Sequence, residues 1–180
     1  KYGNKELMTA ALEGLKNDLG LDKLPVGEVI LGAVSKHAAD FSMARECTID
    51  AGLGYDTPAT DLQKACGTSL EAALIIGAKI SAGMLDSGIA AGCDTNSDIP
   101  VEFKKSFSDT LSKVNYSKTT VDKLKAISSL RPNDLVPKLP AIKEPRTRLS
   151  MGESCEVMAK RWKISRADQD KLAYDSHQNA

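Results

Sequence analysis

The chain is expected to fold as an α/β protein, with a parallel or mixed sheet covered by helices. Three observations carry that expectation. Helix-like and strand-like segments alternate through the first hundred residues in a βαβαβ rhythm. Residues 28–34 (EVILGAV) read as a short buried strand. Residues 67–83 are rich in Ala, Gly and Ile and lack a clear polar face, so a helix there is expected to be buried on nearly all sides.

In chain order, residues 4–19 (NKELMTAALEGLKNDL) read as an amphipathic helix with Leu7, Ala11, Leu15 and Leu19 on one face. Gly20 suits its C-terminal end. After the strand at 28–34, residues 42–52 (SMARECTIDAG) form a short helix with Ser42 as N-cap. Residues 59–65 are extended and lead into Cys66, and the apolar helix 67–83 follows. Residues 87–93 (SGIAAGC) are a strand of small residues, as expected beneath a closely packed helix. Residues 101–150 break the rhythm. They hold eleven Lys or Arg against five acids, and Pro132, Pro137, Pro140 and Pro145. Two helical turns and an irregular surface loop are expected there, since long proline-punctuated insertions are commonly functional or mobile. Residues 150–162 and 165–179 then form two helices, with Ser165 and Asp168 resembling a capping box.

Composition narrows the function. The 180 residues suffice for one sizeable domain, and 42% hydrophobic with 27% charged residues is ordinary for a globular protein. A formal net charge of +0 does not suit a nucleic-acid binder, which needs many cations facing phosphates. No run approaches the roughly 20 apolar residues that span a bilayer. Cys47, Cys66, Cys93 and Cys155 include no C-x-x-C pair, so neither a zinc site nor a redox dithiol is indicated. Four free thiols fit a reducing compartment, a bacterial cytoplasm or a mitochondrial matrix, and not secretion.

Cys66 is the leading candidate for chemistry. It stands where an extended segment ends and a helix begins, in Gln63-Lys64-Ala65-Cys66-Gly67-Thr68-Ser69-Leu70. The first turn of a helix offers unpaired N–H groups and a partial positive charge, which favour thiolate and hold a developing oxyanion. Such a cysteine can take an acyl group as a thioester. A buried, inert core cysteine is the alternative from local sequence alone. His37 lies in a polar loop and His177 in the last helix, and neither neighbourhood marks a general base. Asp94, Asn96 and Asp98 cluster in one loop; turn formation by their side chains accounts for them better than a metal does.

Resemblance along the chain extends this reading. Residues 60–75 (TDLQKACGTSLEAALI) resemble the nucleophile segment of thiolases. Residues 88–100 (GIAAGCDTNSDIP) resemble the strand and glycine-containing loop that follow it, and 151–180 (MGESCEVMAKRWKISRADQDKLAYDSHQNA) the Met-Gly helix and its successor. The three blocks stand in family order and cover nearly the whole chain. The likeness is strongest to acetyl-CoA acyltransferases of fatty-acid β-oxidation, including the β-subunit type of multienzyme complexes.

The resemblance implies residues 1–100 as the N-terminal α/β core lacking its first strand, 101–150 as an inserted basic loop region, and 151–180 as two helices of that insertion. It implies acyl transfer through an acyl-Cys66 intermediate, with the Cys66 N–H as one oxyanion donor. Met151, with Gly152, approaches the acyl pocket; a core residue at a helix start is the alternative for Met151. Acyl-CoA and CoA are then substrates, and no cofactor is tightly bound. The basic excess of 101–150 is assigned to CoA phosphates, to contact with acidic lipid or a partner subunit, or to a merely solvated loop. A homodimer or homotetramer is expected, with residues 55–65 in the interface, and a β-oxidation complex subunit as a further partner. The family's Gly-His-Pro histidine and Cys-x-Gly cysteine are not found. A piece of a chain about twice this length is therefore expected, without its C-terminal catalytic half and inactive alone. Related condensing enzymes of the ketoacyl synthase type, or a non-catalytic subunit of the same fold, are the competing readings.

Overall fold

A computed structural model describes residues 2–21, 25–138 and 141–180. The chain separates into two compact units, residues 1–100 and 101–180.

The first unit is an α/β layer structure. Its elements are α1 (Asn4–Leu19), β1 (Val29–Gly32), α2 (Met43–Asp50), β2 (Ala59–Asp61), α3 (Thr68–Ser81) and β3 (Ile89–Gly92). The three strands form one sheet in the order β2-β1-β3, with both pairings parallel. Val29 stands opposite Ala59 on one side and Ile89 on the other, so β1 is central. All four residues of β1 are buried, as its apolar run predicts. The main core joins α1 and α2 to one face of the sheet through Met8, Leu12, Val29, Leu31, Met43 and Cys47. A smaller core joins α3 to the other face through Ile30, Ala72 and Ile76.

The predicted segments appear with shortened ends, and three local expectations are corrected. Helix α1 spans 4–19 and Gly20 closes it in the left-handed conformation, φ 63°, as expected. Its buried face is Asn4, Met8 and Leu12, however, whereas Leu7, Leu15 and Leu19 are exposed. The sequence carries two adjacent apolar stripes, and the stripe that meets α2 and the sheet is the one that is buried. Ser42 flanks α2 but its side chain caps nothing; the Asp61 carboxylate accepts the Ala44 N–H at 3.1 Å instead. Helix α3 buries Thr68, Ala72 and Ile76 against the sheet, while Leu70 and Leu74 are exposed at 66% and 59%. Its lack of a polar face therefore does not mean burial all round in this chain.

The second unit is helical: α4 (Lys105–Tyr116), α5 (Thr120–Ser128), α6 (Met151–Arg161) and α7 (Arg166–Gln178). The two helical turns expected after residue 101 are two full helices, α4 and α5, packed on each other. Thr119 caps α5 by accepting the Asp122 N–H at 3.1 Å. An irregular stretch follows, as expected, tied by short antiparallel bridges Glu102–Lys138 and Lys143–Ser150. Pro140 lies outside the described residues. Ser150 and Glu153 cap α6 reciprocally, and Ser165 caps α7 through the Asp168 N–H at 3.2 Å.

Candidate active site

Cys66 lies in the connection from β2 to α3, one residue before the helix N-cap Gly67, and is exposed. Strands β1, β2 and β3 run parallel, and α3 starts where they end. The cysteine therefore stands by their carboxyl ends, the edge at which open α/β sheets bind ligands.

Two close approaches put it there. A Cβ on Gly32, the last residue of β1, would lie 1.8 Å from the Leu62 carbonyl oxygen and 2.7 Å from Thr68 Cγ2. On Gly92, the last residue of β3, it would lie 3.0 Å from Ser69 Cβ. Only glycine lets the first turn of α3 and the segment before it rest directly on the strand ends.

The turn itself is tightly bonded. The Gly67 N–H donates to Lys64 O at 3.0 Å, and Thr68 N–H to Ala65 O at 3.2 Å. Ala65 has φ 45°, in the left-handed region, while Cys66 does not. A positive φ is adopted without steric cost by glycine and rarely by alanine. The Thr68 hydroxyl donates to Ala65 O at 2.7 Å and accepts the Lys64 N–H at 2.9 Å. Lys64 also pairs with Glu71, bridging the turn on its outer side.

The neighbouring loops are fixed by carboxylates. Asp94, after β3, accepts the Val34 N–H at 2.9 Å and the Ser35 N–H at 2.8 Å, binding the loop after β1. Gln63 Nε2 donates to Val34 O at 3.3 Å, which links that loop to the approach to Cys66. Lys36 pairs with Asp61 at 2.8 Å. His37 Nε2 lies 3.1 Å from an Asp98 carboxylate oxygen. Asp94 and Asp98 thus serve as loop ties, and among the described residues no group of three His, Cys, Asp or Glu gathers to hold a metal ion.

The four cysteines differ in environment. Cys47 is buried, and burial pushes its thiol upward. Cys93 is half-buried; burial, with the nearby Asp94 charge, pushes it up to about 11. Both remain protonated and poorly nucleophilic at neutral pH. Cys66 and Cys155 are exposed, and of these two only Cys66 stands at a helix start. Cys66 therefore lies outside the core of this unit.

In the second unit, Met151 is the first residue of α6 and is exposed at 68%. His177 lies in the last turn of α7. Part of the basic excess is paired within the unit: Lys105 with Asp109, Lys143 with Glu153, and Lys104 Nζ with Asn133 O at 2.7 Å. Lys113 and Lys125 line a shallow open depression between α4 and α5, beside Tyr116, Asp122 and Ser129.

Sequence reading placed Cys66 at the helix start, as observed, and assigned Asp94 to turn formation, but gave no sign of the bonds made by Thr68, the positive φ of Ala65 or the reach of Asp94 to Val34 and Ser35. The positive φ of Ala65 has no sequence signal, because alanine rarely adopts it. The contacts of Asp94 reach 60 residues back along the chain.

Comparison with known proteins agrees with the fold. The family described as "Thiolase, N-terminal domain" matches residues 1–180. A 3-ketoacyl-CoA thiolase of Vibrio cholerae is 39% identical over 157 residues, covering 87% of this chain and 36% of that protein. One from Photorhabdus laumondii is 39% identical over 158 residues, covering 88% and 36%. The crystal structure of the Bacillus anthracis acetyl-CoA acetyltransferase superposes with a TM-score of 0.69 at 20% identity, over 99% of this chain and 41% of that one, and shows the shared fold. The chain thus spans little more than a third of the curated relatives it matches. From a family match over its full length and from these relatives, the chain belongs to the thiolase family, as its N-terminal domain.

Proposed function

We propose that the protein carrying this chain transfers acyl groups between thioesters and coenzyme A, with Cys66 as the acyl acceptor. The observation that carries the reading is an exposed cysteine at the start of α3, beside the carboxyl ends of parallel strands, in a chain of the thiolase family.

In the degradative direction the Cys66 thiolate attacks the 3-keto carbon of a 3-ketoacyl-CoA. The C2–C3 bond breaks, the acyl group stays on sulfur, and the departing acetyl-CoA enolate takes up a proton. CoA thiolate then attacks the carbonyl carbon of the acyl-Cys66 thioester; the new C–S bond forms, the bond to Cys66 sulfur breaks, and acyl-CoA leaves with the Cys66 thiolate restored. The reverse sequence is a Claisen condensation. The Cys66 N–H, at the positive end of α3, is assigned the oxyanion that forms in each addition. The chemistry draws on no tightly bound cofactor, since CoA is a substrate.

Met151 is assigned to the acyl pocket, where a flexible thioether suits varied chains. The basic residues of 101–150, Lys113 and Lys125 among them, are assigned to CoA phosphates. The competing role for that segment is contact with anionic lipid or a complex subunit. Self-association through residues 55–65 and a place in β-oxidation complete the reading. This chain alone, with the nucleophile but neither the family's Gly-His-Pro nor its Cys-x-Gly, is expected to show negligible turnover.

The test is intact mass of the natural-source protein before and after brief exposure to acetoacetyl-CoA, with Cys66→Ser as control. An acyl adduct that requires Cys66 supports acyl transfer. The same adduct in Cys66→Ser, or none in the native protein, refutes it.

A further inference from the structure

We propose that Thr68 is a positioning residue for acyl transfer: its hydroxyl holds the Cys66 turn in a left-handed shape that the sequence there does not favour. The proposal rests on Cys66 being the acyl acceptor.

Ala65, directly before Cys66, has φ 45°, a conformation alanine avoids because its Cβ crowds the following carbonyl. Such backbone persists only when its surroundings over-determine it. Thr68 supplies that determination from both sides. Its hydroxyl donates its proton to Ala65 O at 2.7 Å and accepts the Lys64 N–H at 2.9 Å, so both polar functions of the hydroxyl are spent across this residue. The side chain is itself fixed, being 5% exposed with its methyl lying over Gly32. Gly32 ends β1, so the turn is tied through one threonine to the rigid sheet. Cys66, the next residue along, inherits the direction this turn imposes. The aim of a nucleophile at a carbonyl is steep in rate, since small displacements cost large factors.

The alternative shape of the turn is not blocked by the residue itself. If the hydroxyl is removed, only the Gly67–Lys64 and Thr68–Ala65 backbone bonds hold the turn, and Ala65 is expected to return toward negative φ, which reorients the Cys66 backbone. Glycine at 65 would remove the crowding and with it the need for bracing. Valine at 68 keeps the shape and methyl of threonine without the hydroxyl, and serine keeps the hydroxyl without the methyl.

The test uses the intact protein as native, Thr68→Ser, Thr68→Val, and Thr68→Val combined with Ala65→Gly. One readout is the single-turnover rate of acyl-Cys66 formation from acetoacetyl-CoA, with its substrate dependence. The other is the rate of Cys66 alkylation by iodoacetamide from about pH 6 to about pH 10, read by peptide mass. Thr68→Val is expected to slow acylation at least about tenfold with KM within about threefold, a transition-state loss. Thr68→Ser should stay within about threefold of native, and Ala65→Gly should return most of the valine loss. Native-rate acylation in Thr68→Val, or equal losses in the serine and valine variants, overturns the proposal.

If native protein gains no adduct, acyl transfer itself fails, and the alkylation profile still decides the turn. A profile displaced in Thr68→Val and restored in Thr68→Ser supports bracing, and an unchanged one overturns it. If Thr68→Val does not fold, the combined variant must fold and react faster than Thr68→Ala, or the proposal falls.

Discussion

Replacing Gly32 by alanine tests whether the strand end and the Cys66 turn are as closely packed as described. The added methyl would meet the Leu62 carbonyl oxygen at 1.8 Å and Thr68 Cγ2 at 2.7 Å. Carbon and carbonyl oxygen approach to only about 3.3 Å, so β1 and the chain at Leu62 must separate by more than an ångström. Such overpacking costs about 1–3 kcal/mol. The Leu62 N–H donates to Leu31 O at 2.9 Å, one residue from the clash. Separation loosens that bond, which is worth about 0.5–1.5 kcal/mol. The expected loss is therefore about 2–4 kcal/mol, concentrated at β1. Gly14 provides the opposite case. It lies within α1, and a Cβ there meets nothing within 4 Å. Alanine at 14 should stabilise the helix by about 0.5–1 kcal/mol. The assay is amide hydrogen exchange of the peptides covering residues 29–32 and 8–16 in the intact protein. Gly32→Ala should speed exchange in β1 about 30-fold to several hundred-fold, and Gly14→Ala should slow it in α1 by a few-fold. Unchanged β1 exchange in Gly32→Ala, or effects of the same sign at both sites, would refute the packing assigned to the strand end.

Two further outcomes follow from buried groups. The Cys93 thiol is pushed up to about 11 from an ordinary 9.0, chiefly by burial, and Cys47 moves the same way. An unfolded chain releases the Cys93 proton first, so the stability it contributes is full below about pH 9 and is lost as pH rises through about 11; Cys47 acts in the same direction. Urea midpoints should fall across that window and fall less in Cys93→Ala; equal slopes in the two proteins would contradict the burial assigned to Cys93. At the opposite end of β1, Glu28 is 6% exposed, pairs with Lys79 and accepts the Thr60 hydroxyl at 2.9 Å. Lys79→Met leaves that carboxylate buried with one hydroxyl partner. It should cost about 2–3 kcal/mol, less than a fully buried pair because Lys79 retains water. Glu28→Gln added to it should recover part of the loss, and a single-variant loss below about 0.5 kcal/mol would show the pair to be incidental.

By itself the sequence determined what local spacing encodes. The apolar run before Gly32, the Gly20 stop, the small-residue strand and the helix behind Cys66 each follow from residues a few positions apart, and they appear within a few residues of their expected places. Cys66 was legible for the same reason, since a cysteine at a helix start is a local feature. Which apolar stripe of α1 turns inward was not. Leu7-Ala11-Leu15 and Asn4-Met8-Leu12 are both helix-periodic, and only the surface offered by α2 and the sheet selects the second. The outward exposure of Leu70 and Leu74 on α3 likewise depends on what lies against the helix and not on its own composition. The cap of α2 comes from Asp61, seventeen residues away, and the tie between the loops after β1 and β3 from Asp94, sixty residues from Val34. Ala65 is the clearest division. Its own preference is for negative φ, and the hydroxyl that bonds Ala65 O and the Lys64 N–H belongs to a residue three positions on that lies over Gly32 of the sheet. Local propensity is written residue by residue, whereas a strained turn is held by contacts that exist only after the chain has closed on itself.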